Sequence, residues 1–358
     1  MENIFLNNIK ISAISCSLPK IKTKAEDYIG HFSEKKIKRF LNTAGVKERY
    51  IGNGKQTAAD LCFSAALNVF QKTDILREEI DVLIFITQNP DYKTPSTAFV
   101  LQKRLGLSRN CICFDVNMGC TAFLHGVYIA ASMISAGQAE KAMVLIGDAH
   151  LVHAQTEDTA ETMMFGEAGS AVVLEKGTDD IIMDLFSDGD GFDIIMNACG
   201  ERFQTADDKP DVDTYKYYMD GGAVFNFSVT KVPEAIHHFC KTNKRELNDF
   251  DKIVLHQANV FILKHIANEL GVSEEQIAIS MDRYGNTNGA SIPVTIVDMV
   301  EQDKDLPDKM DLLLSGFGIG LSWGVMSAKI EKSAVLPFIY SDDYYKEGKN
   351  IPYLKNEE

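Results

Sequence analysis

Two hydrophobic patterns alternate along the chain. Continuous apolar runs at residues 81–87 and 143–149 have the character of strands buried on both faces. Between such runs, apolar residues recur at helical spacing. In residues 58–71 they are Leu61, Ala65, Val69 and Phe70, with Thr57 as the predicted N-cap. The same reading predicts helices over 26–41, from Ser96 to Leu105, and over the Ala-rich 124–136. It predicts a strand over 111–116, a loop with two prolines over 89–95, and a glycine-rich turn into a strand over 166–174.

The second half repeats the first in outline. A helix over 224–242 precedes a strand over 252–255, as 58–71 precedes 81–87. Helix 260–270 then stands where the helix after Ser96 stood, Pro293 opens a helix over 294–301, and 311–318 mirrors 143–149. This alternation predicts an α/β fold of parallel sheets covered by helices, built from two units related by a pseudo-twofold. A site is then expected where strand ends and helix N-termini of both halves converge. The divisions expected are 1–180, 181–332 and a polar C-terminal extension, 333–358, which carries Tyr340, Tyr344, Tyr345 and Tyr353 and lies outside the repeat. Residues 187–213 form the least regular stretch, a candidate boundary between halves and a candidate substrate-side surface.

Composition narrows the class. A chain of 358 residues with 45% hydrophobic content can bury a large core. Its seven cysteines include no pair of CxxC motifs, so reduced thiols in a cytoplasmic protein are expected, and no metal. No secretory signal layout and no membrane span are expected. A net charge of −15 argues against nonspecific nucleic-acid binding. An acidic partner would need a local basic patch, for which Lys35, Lys36, Lys38 and Arg39 are candidates; a solvated helix face is the plain alternative.

Four segments could carry chemistry. Residues 115–123 turn through Asn117 and Gly119 from a strand into a helix, which puts Cys120 at a helix N-terminus, where a thiol loses its proton more readily. A buried structural cysteine is the alternative. His256 leaves a predicted strand at Leu255-His256-Gln257-Ala258-Asn259, a place where functional side chains collect. Asn286 lies in the loop Tyr284-Gly285-Asn286-Thr287-Asn288-Gly289, which any turn could use. The run Gly316-Phe317-Gly318-Ile319-Gly320 could bring backbone N–H groups to a carbonyl, or simply form a tight hairpin.

Taken together, their order and local sequence resemble the β-ketoacyl-acyl carrier protein synthase III family of thiolase-fold condensing enzymes. The resemblance covers roughly residues 11–330 and includes Thr43-Ala44-Gly45-Val46, Pro95-Ser96-Thr97-Ala98, Phe165-Gly166-Glu167-Ala168-Gly169 and Met219-Asp220-Gly221-Gly222. It implies a layered α-β-α-β-α core, with Cys120 as the acyl-accepting nucleophile and His256 and Asn286 as the decarboxylation pair. Backbone N–H groups of Cys120 and Gly320 would form the oxyanion hole. Thr94, Phe225, Arg39 and Asn259 complete the implied substrate-binding set; for Phe225, plain core packing is the alternative.

The implied reaction is decarboxylating condensation of an acyl-Cys120 with malonyl-acyl carrier protein. No cofactor is implied, because substrates ride on the phosphopantetheine of acyl carrier protein or coenzyme A. A homodimer is implied as well. Arg39 and Thr43 stand where the family often has a Trp and an Arg that clamp adenine, which turns the expectation toward a carrier-protein donor. Phe261 replaces a common carrier-docking arginine. Thr94 replaces a bulky residue and leaves room for a longer acyl chain, contributed across the dimer. Thr121-Ala122 departs from the usual pair after the nucleophile and is expected to tune the turn. Acyl transfer to a hydroxyl or amine is the alternative activity; a noncatalytic partner subunit would be expected to lack Cys120.

Overall fold

The computed structural model describes residues 3–149, 162–197 and 217–350. His150, His153, Tyr353 and residues 198–213 of the irregular stretch lie outside these. The apolar runs of each half become the middle strands of a six-stranded sheet. Across the first sheet the order is Ile339–Ser341, Ile9–Pro19, Ala168–Lys176, Lys141–Asp148, Val82–Ile86 and Ile112–Val116. Across the second it is Ile4–Leu6, Ile181–Ser187, Ser322–Glu331, Lys309–Gly318, Lys252–Leu255 and Ile277–Ala278. The last three strands of each order run parallel, and in each sheet the strand after Lys141–Asp148 or Lys309–Gly318 returns antiparallel.

Helices Ala122–Ser135 and Ser291–Gln302 lie between the sheets and share one core with both. Ala122–Ser135 is apolar almost all round, which suits a helix covered on every side. Ala58–Lys72 and Thr97–Leu105 cover the outer face of the first sheet, and Gly221–Thr242 and Val260–Leu270 that of the second. The layers are therefore α-β-α-β-α, a thiolase-like arrangement.

Three expectations change. Of the helix expected over 26–41, the later part is helix Glu34–Thr43, while its start falls in a short 3-10 turn, Ala25–Tyr28, that follows strand Ile21–Lys24. Gly30, at φ +103°, breaks the run, and Ser33 starts the later helix by accepting from Lys36 N–H. The extension beginning at 333 is not a detached appendage: Ile339–Ser341 pairs with residues 17–19 at the edge of the first sheet. Nor is 180 a clean division, because Ile4–Leu6 pairs with residues 181–183 in the second sheet. Among the described residues, no helix is long and apolar enough to cross a membrane.

Candidate active site

The ends of the parallel strands determine where the side chains emerge. Ile86 stands opposite Ile146 and Leu255 opposite Ser315, so Thr87 and His256 leave equivalent strands at equivalent points. The strand Ile112–Val116 runs out into the Cys120 turn, and helix Ala122–Ser135 begins two residues later. On the other side, the Asn286 loop leads into Ser291–Gln302. Cys120, His256 and Asn286 line one cavity of about 940 Å³, together with Phe225, Asn259, Arg39, Lys36, Gln88 and Ile319.

Cys120 is the partly exposed member of the six free cysteines among the described residues; Cys16, Cys62, Cys111, Cys113 and Cys240 are buried. Its thiol is pushed up to about 11, first by burial and also by the charge of Asp148, against the pull of backbone N–H groups of Ile319 and Cys120. The lowered pKa expected at the helix N-terminus is thus outweighed by desolvation, and the resting group is a thiol. Gly318, at φ +153°, lets the neighbouring strand come close: a Cβ there would lie 2.6 Å from Cys120 Sγ.

The backbone N–H facing Cys120 lies one residue before the expected one. Ile319, not Gly320, brings its backbone N–H to the thiol and lines the cavity. Gly320 instead belongs to the return of the hairpin, where a Cβ would meet Ser322 N at 2.9 Å. Ser322 Oγ donates to the Ile319 carbonyl at 2.9 Å, and the Thr121 hydroxyl lies 2.8 Å from Ser322 Oγ. Thr121 therefore ties the nucleophile turn to the strand end that supplies this N–H.

His256 is 2% exposed, and burial lowers its pKa to about 4 against the opposing contact with the Asn288 backbone. The ring is neutral near pH 7. Its Nδ1 lies 2.7 Å from Ser291 Oγ, which also accepts, at 3.5 Å, from Gln257 N–H. Ser291 and the Asn288 backbone therefore hold the imidazole in place from within the protein. Gln257 holds the base of the turn by donating to Leu255 and Ala278 carbonyls and accepting from Ser280 and Met281 N–H.

Asn286 is fixed from both ends. Its backbone exchanges bonds with Met164 and Gly166, and its Oδ1 accepts from Asn288 N–H at 2.9 Å. With Oδ1 held in this way, Nδ2 is the donor end of the amide, and the residue lines the cavity. Arg49 supports this segment from below, donating to the carbonyls of Thr162 and Phe165 and to the Tyr28 hydroxyl. The two halves meet beside it: Gly289 N–H donates to Asp148 Oδ2, whose other oxygen accepts from Thr87 Oγ1 and Gln88 N–H.

At the mouth, Arg39 and Lys36 are exposed cations, while Phe225 stacks on Phe261 at 5.3 Å. Asn259 lines the cavity, but its side chain caps Val260–Leu270 by accepting from Ile262 N–H. Thr94 is exposed and lies away from this chain's own cavity. Sequence reasoning missed Ser291, Gln88 and Ile319. Ser291 carried a signal in its place at the start of a helix beside the Asn286 loop; the run 316–320 was marked out for its backbone N–H groups, but which of them faces the thiol leaves no mark on residue type.

Residues 114–191 match the family described as 3-oxoacyl-[acyl-carrier-protein (ACP)] synthase III, and 240–330 match the C-terminal part of the same family. The chain is 33% identical, over 80% of its length and 87% of the relative, to a beta-ketoacyl-[acyl-carrier-protein] synthase III of Clostridium tetani. It is 30% identical to that of Clostridium acetobutylicum, over 91% of this chain and 100% of the other. The crystal structure of a 3-oxoacyl-(acyl-carrier protein) synthase from Burkholderia xenovorans superposes with a TM-score of 0.85 at 26% identity, covering 95% of this chain and 99% of that one.

Proposed function

The chain belongs to the β-ketoacyl-acyl carrier protein synthase III family, and from that premise we propose how its residues divide the work. The reaction is a decarboxylating condensation of a cysteine-bound acyl group with malonyl-acyl carrier protein. Cys120 Sγ attacks the acyl thioester carbonyl, and its proton leaves with the departing carrier thiol. The N–H groups of Cys120 and Ile319 face the developing oxyanion. The malonyl thioester then enters with its carbonyl toward His256 Nε2–H and Asn286 Nδ2. As the carboxylate leaves as CO₂, its bonding pair becomes the enolate, which these two neutral donors stabilise without quenching it. The enolate carbon attacks acyl-Cys120, and the thiolate leaves a β-ketoacyl thioester two carbons longer.

The observation that carries this reading is the single cavity shared by Cys120, His256 and Asn286. Transfer to a hydroxyl or amine would use the same acyl-Cys120 but gives the paired donors no task. The arm that delivers the acyl group passes between Lys36 and Arg39 on one side and Phe225 and Phe261 on the other. Arg39 and Thr43 do not rebuild a paired Trp and Arg clamp on adenine, and on that ground the acyl donor in this reading is an acyl carrier protein rather than coenzyme A. No resident cofactor takes part in this reading. The working form is a cytoplasmic homodimer in which Thr94 reaches toward the partner's acyl chain; a mass of one chain in gel filtration would overturn the dimer.

The test is incubation with malonyl-acyl carrier protein and a panel of acyl-carrier proteins and acyl-coenzyme A thioesters, following intact mass and CO₂. An acyl adduct that is lost in Cys120→Ala, with CO₂ release and a two-carbon extension, is expected. An adduct without CO₂ or extension overturns condensation in favour of acyl transfer.

A further inference from the structure

The C-terminal segment beyond strand Ile339–Ser341 lies past the matched family region, which ends at residue 330, yet it is fastened to the molecule by buried groups. Gln56, 1% exposed, donates through Nε2 to the carbonyls of Ser341 and Asp343. Asp60, also buried, accepts from Tyr345 N–H at 2.9 Å and pairs through the same oxygen with Arg104 at 2.9 Å. The Arg104 guanidinium lies over the rings of Phe63 at 4.2 Å and Tyr345 at 4.6 Å.

This fastening reaches the loop that begins at the cavity wall. The Thr57 hydroxyl stands 3.2 Å from both Asp60 Oδ2 and Asp91 Oδ2. Tyr92 Oη donates to the Gly348 carbonyl at 2.7 Å. The approach is so close that a Cβ on Gly348 would lie 2.8 Å from Tyr92 Oη and 2.8 Å from Tyr345 Cδ1. Upstream of Tyr92, Gln88 lines the cavity, and its amide would be 2.7 Å from a Cβ on Gly119 in the nucleophile turn. Downstream, the N–H groups of Thr97 and Ala98 are both held by Asp115, which leads into the same turn. Thr94 sits between these two anchors.

We propose that residues 341–350 act as a positioning strap for the loop 89–96, with Tyr345 and Gly348 as its contact residues, and so help set which acyl chains the enzyme accepts. The proposal rests on the reading of this chain as a condensing enzyme whose Thr94 loop bounds an acyl site. The strap touches neither Cys120, His256 nor Asn286, so it acts on selectivity rather than on the chemical step. Tyr92 keeps the loop in register because its hydroxyl has a fixed carbonyl to bind, and the ring of Tyr345 closes over Arg104, which holds Asp60.

The experiment measures kcat/KM for a short and a long acyl donor, and kcat for CO₂ release, in Tyr92→Phe, Gly348→Ala, Thr94→Phe and the parent protein. For Tyr92→Phe and Gly348→Ala, the ratio of long to short donors is expected to change by roughly two- to tenfold, as for loss of one positioning bond, mainly through KM. CO₂ release should stay within about twofold, a split that a general loss of folding would not give. Tyr92→Phe removes one oxygen and keeps the ring, so it remains informative if Gly348→Ala lowers Tm. An unchanged ratio in both strap variants, alongside a changed ratio in Thr94→Phe, overturns the strap and leaves the loop reading standing. A changed ratio in the strap variants with none in Thr94→Phe supports the strap, acting through Gln88 and Asp115, and removes Thr94 from the acyl site. No change in any of the three overturns both.

Discussion

Thr87 and His256 occupy the same place in the two halves, yet they do different things. Thr87 gives its hydroxyl to Asp148, in a buried knot that also receives N–H groups of Gln88 and Gly289. His256 has Nδ1 engaged by Ser291 and lines the cavity. The central helices show the same contrast. The turn before Ala122–Ser135 presents a thiol, and the loop before Ser291–Gln302 presents an amide. The matching topology of the two sheets sets where side chains emerge; under the proposed mechanism, the residue at each exit decides whether that half holds the acyl group or stabilises the enolate.

The sharpest way to break this comparison is to remove the second half's donors one at a time. His256→Ala and Asn286→Ala should each lower CO₂ release by about 10²- to 10³-fold, as loss of an oxyanion donor does. Formation of the acyl adduct on Cys120 should persist in both, read by intact mass. Loss of the adduct in His256→Ala would mean that the halves share the acylation step.

The contact between halves is tested by Gly289→Ala. A Cβ there would meet Ala122 Cβ at 2.9 Å, Ile146 Cγ2 at 3.0 Å and the Gly119 carbonyl at 3.2 Å. Overpacking of this kind costs about 1–3 kcal/mol, so Tm should fall and the nucleophile turn should shift with it. An unchanged Tm would show that the two loops can separate freely.

Smaller effects come from the hydroxyls that aim each donor. Ser291→Ala frees Nδ1 of His256 and should lower CO₂ release about tenfold through loss of tautomer control, the worth of roughly one hydrogen bond. Thr121→Val breaks the link to Ser322 and should slow adduct formation by a similar or smaller factor while leaving CO₂ release intact. Equal effects of both variants on both steps would erase the division between halves.

Much of this frame was legible in the sequence. The runs 81–87, 252–255 and 311–318 read as strands and are strands, and the helices capped by Thr57 and Asn259 begin where expected. What escaped depends on contacts distant in sequence. The edge strands Ile4–Leu6 and Ile339–Ser341 are short, and each joins the sheet of the other half's chain segment, so local pattern gives no hint of them. The Cys120 pKa escaped for the same reason: the helix N-terminus is visible in the sequence, but the depth of the cavity around it is not.

The smallest expected effect is the response to pH, because burial works in opposite senses on the two halves. His256 is lowered from 6.5 to about 4 and Cys120 raised from 9.0 to about 11, so both are uncharged between those limits. Above pH 6.5 the folded and unfolded chains both carry a neutral His256. As pH falls below that, the unfolded chain takes up a proton that the folded one refuses until about 4, and stability drops. On the alkaline side the unfolded chain releases the Cys120 proton near 9, the folded one near 11, so stability drops as pH rises through that window. Asp148, pushed by burial to about 6, takes its proton in the folded state first and partly offsets the acid-side loss. The rate of CO₂ release should therefore be nearly flat from about pH 7 to about 9, because neither donor changes charge there. Alkylation of Cys120 by iodoacetamide should instead keep rising through pH 9 and level off near 11. A plateau of alkylation at or below pH 9 would mean that the first half ionises its thiol as the helix N-terminus alone predicts. An inflection of CO₂ release near 6.5 would mean that the second half works with an ordinary, solvated histidine.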